Sequence, residues 1–216
     1  MTAGATRAAR VAATRRSILD AAERLFAEHG IAAVSGRQIS EAAGQGNTAA
    51  VGYHFGTKTE LVRAVARRHL DPIERRRAER IAALGEAGSL RDWIECLVLP
   101  ATDHLASLGG PTWFGRLAAR LMADQDLRPI VQEGMSPQAN RALSAGLDRC
   151  LADLSPQVRA ERDTMAKQLV VLMPSTRETM LAAGAPTPRA TWQEAGAGLV
   201  DALVGLYLAP VTPAPR

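Results

Sequence analysis

Residues 35–61, SGRQISEAAGQGNTAAVGYHFGTKTEL, decide the fold. They open with a complete helix-start signal: Ser35 is placed to cap, Gln38 three residues on closes a capping box, and Val34 can staple onto Ile39. Ile39, Ala42 and Ala43 supply a short apolar face. Gly44 falls where the backbone must turn, because glycine takes positive φ without a Cβ clash. After Gln45 and Gly46, Asn47 or Thr48 is expected to cap a second short helix through Val51 and Tyr53. Thr57 with Glu60 repeats the capping signal, so another helix begins at once and carries Lys58 in its first turn.

Upstream, Ile18, Ala22, Leu25 and Phe26 recur at helical spacing and predict a helix from about Thr14 to His29 that packs over both short ones. Three helices then share one small core. A glycine-centred helical pair also occurs in ordinary bundles, but the packing helix upstream favours a helix-turn-helix unit. Its second short helix is rich in small residues that permit close approach to a duplex, and it is the candidate reading element.

The segments ILDAAERLFAEHG, ISEAAG and YHFGTKTEL resemble the DNA-binding domain of TetR-type transcriptional regulators over about the first 65 residues. Leu25-Phe26, Gly30, Ile39, Ala43-Gly44, Tyr53, His54-Phe55, Lys58 and Leu61 fall in the family's order. The chain departs from the pattern after the turn glycine, where Gln45-Gly46 replaces a common Val-Ser pair and the stretch from Gly44 to Phe55 is one residue longer. The resemblance implies an all-α protein: a DNA-binding head over residues 1–60, then a helical ligand-binding and dimerisation body over 61–216. It implies a homodimer on a palindromic double-stranded operator, acting as a repressor and released by a small-molecule effector.

Within the head, Gln45, Asn47 and Thr48 are the candidate base-edge or phosphate readers, since amides pair with adenine and hydroxyls accept several partners. Tyr53, His54 and Lys58 are candidate phosphate anchors, as the matching family positions are, with Arg37 and the backbone near Ser35 as helpers. Charge follows the same division. Residues 1–80 hold 14 Lys+Arg against 8 Asp+Glu, net +6, whereas residues 81–216 hold 12 against 14, net −2. A nonspecific architectural DNA binder would spread its basic charge over the whole chain. Arg7, Arg10, Arg15 and Arg16 sit among small residues. The first dozen are expected to be a disordered arm, either able to lie along phosphates or a solvated tail without a role. Arg67, Arg68, Arg75, Arg76, Arg77 and Arg80 read as a solvated or paired helix face beside Asp71, Glu74 and Glu79.

With 47% apolar and 4% aromatic residues, the chain suits helices with a real core. A break or kink is expected at Asp71-Pro72, and helix starts at Ser89, Thr112, Ser136-Pro137 and Ser155-Pro156. In the last two helices Val158, Met165, Leu169 and Leu172, then Trp192, Gly196, Leu199, Leu203 and Leu206, form apolar stripes. Such stripes either bury within one chain or join two copies; the resemblance favours the dimer. Between them, Trp93, His104, Trp113, Phe114, Met122 and Met135 are either plain core or the lining of the effector site that the resemblance implies.

Catalysis finds no footing. His29, His54, His69 and His104 show no metal-ligand spacing, and no phosphate loop or nucleophile motif occurs, so neither cofactor nor metal is expected. The remaining alternative is a helical-bundle small-molecule binder or enzyme without sequence-specific DNA binding. Cys96 and Cys150 are expected to be buried free thiols. Without an 18-residue apolar run or an N-terminal signal pattern, no membrane partner is expected and the location is expected to be cytoplasmic.

Overall fold

A computed structural model describes residues 2–85 and 87–212, and among these the fold is entirely helical. The helices are α1 Thr2–His29, α2 Gly36–Ala42, α3 Ala50–Phe55, α4 Lys58–Leu84, α5 Leu90–Ser107, α6 Phe114–Ala123, α7 Arg128–Gly134, α8 Pro137–Cys150, α9 Pro156–Ala182 and α10 Trp192–Leu208. Their starts follow the cap chemistry: Ser35 with Gln38, Ser89 with Asp92, and Thr191 with Glu194 form reciprocal capping boxes, while Ser136 and Ser155 cap helices that begin with proline. Thr57 accepts from the Glu60 N–H at 3.1 Å, but the Glu60 carboxylate turns to Arg63, so that box is half made.

Two apolar cores hold the helices together. In the first, Ile18, Ala22 and Phe26 of α1 meet Val34, Ile39, Val51 and Phe55, with Leu61, Val65 and Leu70 of α4 beneath them. This core does not stop at the expected boundary of residue 60. It continues through Ile73 into Leu105, Phe114, Leu117, Leu121 and Ile130, so α6 and α7 pack against the head. The second joins Trp93, Ile94 and Val98 of α5 to Leu143 and Leu147 of α8, Ala166 of α9, and Leu199, Val200, Leu203 and Tyr207 of α10.

Three sequence expectations give way. Residues 2–12 are not a disordered arm: α1 starts at Thr2, twelve residues before Thr14, in a run of alanine and arginine with high helix propensity. Pro72 does not break α4. A proline inside a helix costs about 3 kcal/mol, but burying Leu70 and Ile73 returns about 1.5–3 kcal/mol each, and the buried Glu74 carboxylate pairs with Arg77 and accepts the Ser136 N–H at 2.9 Å. Thr112 does not cap α6. Trp113 takes the cap position without a side-chain bond, and Glu178 of α9, fully buried, accepts the Gly115 and Arg116 N–H groups at 3.0 and 2.8 Å. Burial pushes the Glu178 carboxyl up from its ordinary range against those stabilising donors. Cys96 is buried and Cys150 half-buried, both free.

Candidate nucleic-acid interface

The turn between α2 and α3 has the predicted geometry at Gly44, where φ is +69°. Beyond Gly44 the path departs from expectation. Asn47 does not cap α3 directly: its Oδ1 accepts the Ala49 N–H at 2.9 Å, and α3 begins at Ala50, with Ala49 at the cap position and no side-chain cap bond. Ser40 Oγ, buried, donates to the Thr48 carbonyl at 3.2 Å and ties the turn to α2.

The expected DNA-facing residues separate into free and engaged groups. Tyr53 is 79% exposed, an unusual state for a large aromatic side chain, and rests edge-on against His54. Asn47 and Thr48 are exposed. Gln45 is half-buried and folds back, its Nε2 donating to the Ala43 carbonyl at 3.0 Å at the end of α2. Ser35 spends its hydroxyl in the capping box. Arg37 is exposed and bonds Glu41 at 2.8 Å, which raises its guanidinium pKa. Lys58 is half-buried, and its Nζ donates to the Ala32 carbonyl at 3.2 Å, a reach across the head.

A residue that the motif did not single out fixes the edge of this surface. Arg15 of α1 donates to the His54 carbonyl and lies over the Phe55 ring, 4.2 Å from its centroid. Arg15, His54, Phe55, Glu60, Arg63, Ala64 and Arg67 line a groove of about 220 Å³ beside the C-terminal end of α3. Three guanidiniums against one carboxylate give it a basic lining.

In the body, the six residues considered for an effector site do not converge. Trp93 is buried in the second core, its ring N–H donating to the Gly88 carbonyl at 3.2 Å. His104 and Phe114 belong to a different cluster at the junction with the head. There His69 bonds Glu23 of α1 at 2.9 Å through Nε2 and His104 at 2.9 Å through Nδ1, and stacks on Phe114 at 4.3 Å. Trp113, Met122 and Met135 are half-buried. A groove of about 360 Å³ lies elsewhere, between α8 and α9, lined by Asp148, Leu151, Ala152, Leu154, Pro156, Arg159, Ala160 and Asp163. The sequence reading missed the Glu23–His69–His104 chain because nothing local marks it: its members come from three helices. Arg120 of α6 adds a further tie, donating to the Ala27 carbonyl at the end of α1.

The candidate dimer residues also divide. Met165 and Leu172 are 43% and 48% exposed on α9, with Leu169 half-buried. On α10 the expected stripe faces the wrong way for a partner: Gly196, Leu199 and Leu203 are buried against α5 in the same chain, and Trp192 and Leu206 are half-buried. A methyl at Gly196 would meet Thr102 and Leu99, which explains the glycine as a close α5–α10 approach.

Residues 18–65 match the model of the bacterial regulatory proteins of the tetR family. The chain is 33% identical over 141 residues to the HTH-type transcriptional repressor Rv1474c of Mycobacterium tuberculosis, a match spanning 64% of this chain and 65% of that repressor. The fold is similar to that of the fatty acid degradation regulator FadR from Bacillus halodurans, with a TM-score of 0.61 at 16% identity, covering 89% of this chain and 95% of the other. It is also similar to that of AmtR from Mycobacterium smegmatis, with a TM-score of 0.57 at 23% identity, covering 88% and 85%.

Proposed function

Starting from an amino-terminal unit that matches the tetR-family model over residues 18–65, we propose that this chain is a TetR-type DNA-binding transcriptional repressor. It acts as a homodimer on a palindromic operator and responds to a small molecule. The observation that carries the reading is the exposure of Tyr53 on a short helix whose neighbours are basic, with Arg15, Arg63 and Arg67 along one side and Lys58 at the next helix start. An aromatic hydroxyl and cations around a protruding helix suit a phosphate backbone on either side of a groove. Asn47 and Thr48 then reach base edges or phosphates, and Tyr53, His54 and Lys58 hold the backbone.

Two heads are supplied by pairing the outer faces of α9 and α10. Met165, Leu172, Met173 and Leu208 are between 43% and 66% exposed, and Ala202 and Gly205 beside Leu208 leave room for a partner helix. This face replaces the inward stripe of Gly196, Leu199 and Leu203. An effector acts by favouring a conformation in which the two heads no longer match successive major grooves. The ties from α5 and α6 to α1, through His104–His69–Glu23 and Arg120, are the contacts by which a change in the body reaches the head. The test is capture of sheared genomic DNA from the source organism at about physiological salt, where specific sites outbind random duplex by roughly 10³-fold or more. Enrichment of a discrete fragment supports the reading, and even recovery of all fragments overturns it.

A further inference from the structure

Among the described side chains, those of α1 from Arg7 to Ala13 belong to neither apolar core. Every side chain from Arg7 to Ala13 is exposed, yet the segment is continuous with the helix that builds the head. Its charge is one-sided: residues 1–19 contain Arg7, Arg10, Arg15 and Arg16 and no carboxylate. The first acidic residue, Asp20, is engaged by Arg68.

Arg15 sets where the extension goes. By bonding the His54 carbonyl and covering Phe55, it pins α1 against the C-terminal end of α3. At 3.6 residues per turn, Arg7, Val11 and Arg15 share the face that further along carries Ile18 and Ala22 into the core. Arg10 is a surface neighbour of Arg7 at i+3, while Arg16 projects from the side opposite Arg7. A rise of about 1.5 Å per residue puts Arg7 about 12 Å beyond Arg15 along the axis.

We propose that this helical extension is a second DNA-contacting element, which lays Arg7 and Arg10 on the sugar-phosphate backbone flanking the segment that α3 enters. The inference rests on the head being a DNA reader and goes beyond it, because neither arginine belongs to the helix-turn-helix. Charge complementarity and continuity with the C-terminal end of α3 select a duplex as the occupant. Two guanidiniums per head held on a preformed helix add affinity that is independent of base sequence.

The experiment uses the full chain, a duplex selected by the wild-type protein from a random pool, and the salt dependence of its dissociation constant. The double variant Arg7→Ala/Arg10→Ala leaves the thermal melt unchanged, since both side chains are exposed and alanine favours helix. Each lost phosphate contact flattens the slope of log affinity against log salt by about 0.9, so four contacts per dimer flatten it by roughly 3.6 and weaken binding at least about tenfold. Base preference within the selected site stays the same. On a duplex trimmed to the segment protected by the double variant, wild type and variant bind alike. The control Arg16→Ala keeps the wild-type slope. A double variant with the wild-type slope on the long duplex, or an Arg16→Ala loss of equal size, overturns the proposal while leaving the regulator reading intact. Failure of the wild type to enrich any sequence overturns both.

Discussion

Replacing His104 with glutamine is expected to remove a specific part of the chain's acid sensitivity. His104 is buried at the head–body junction, bonded through Nε2 to His69, which is itself bonded to Glu23. Desolvation by burial, then the neighbouring His69, Arg76 and Arg68, lower its pKa from 6.5 to about 4. The unfolded chain therefore binds this proton more tightly than the folded one. The stabilisation is whole above pH 6.5 and is lost progressively as pH falls toward 4. One pKa unit is worth 1.36 kcal/mol, so the group's contribution shrinks by about 2 kcal/mol between pH 7.5 and 5, and by about 3 kcal/mol once pH is well below 4. Urea unfolding of wild type and His104→Gln at both pH values, at one fixed protein concentration, isolates the effect, because every other titrating group is common to the two proteins. The wild type should lose about 2 kcal/mol more than the variant on moving from pH 7.5 to 5. Equal losses would refute the claim that His104 is held neutral by burial.

Three further outcomes follow from packing. Gly146→Ala places a methyl in the Trp93 ring, so it should destabilise the fold by about 1–3 kcal/mol despite alanine's better helix propensity; a neutral or raised melting temperature would contradict the packing described. Glu178→Ala leaves the buried N–H groups of Gly115 and Arg116 without an acceptor, at a cost of about 2–4 kcal/mol, read by denaturant midpoint at constant m-value; an unchanged midpoint would show that α6 is capped otherwise. Leu172→Glu, on an exposed face, should yield a folded monomer in analytical ultracentrifugation, whereas Leu203→Glu, fully buried, should unfold the chain; a dimeric Leu172→Glu protein would move the interface elsewhere.

The legible parts of this fold were those governed by local chemistry. Ser35 with Gln38, Ser89, Ser136-Pro137 and Ser155-Pro156 each start a helix in the structure, and Gly44 turns with positive φ as required. Other signals are equally local: Thr191 with Glu194 is a capping box, and Pro129 near the start of α7 marks a helix start as Pro137 does for α8. What the sequence did not yield depends on contacts distant along the chain. Pro72 breaks a helix in isolation and does not here, where Leu70 and Ile73 are buried and Glu74 accepts the Ser136 N–H just before α8. The face that α10 turns outward cannot be deduced from its stripe alone, since Leu199 and Leu203 are equally suited to α5 of the same chain or to a partner. In the candidate site, Tyr53 and Asn47 are exposed as a reading surface needs, whereas the intramolecular bond of Gln45 depends on the shape of the turn.

The central claim is that α3 reads a groove and that two chains do so together. Selection of duplexes from a random pool by the wild-type chain, with the mass of the bound complex measured on the winning sequence, tests both parts at once. The account predicts two inverted half-sites with centres about 34 Å, one helical turn, or a small multiple of it apart, bound by an even number of chains. An unenriched pool, or a lone half-site carrying a single chain, would contradict it.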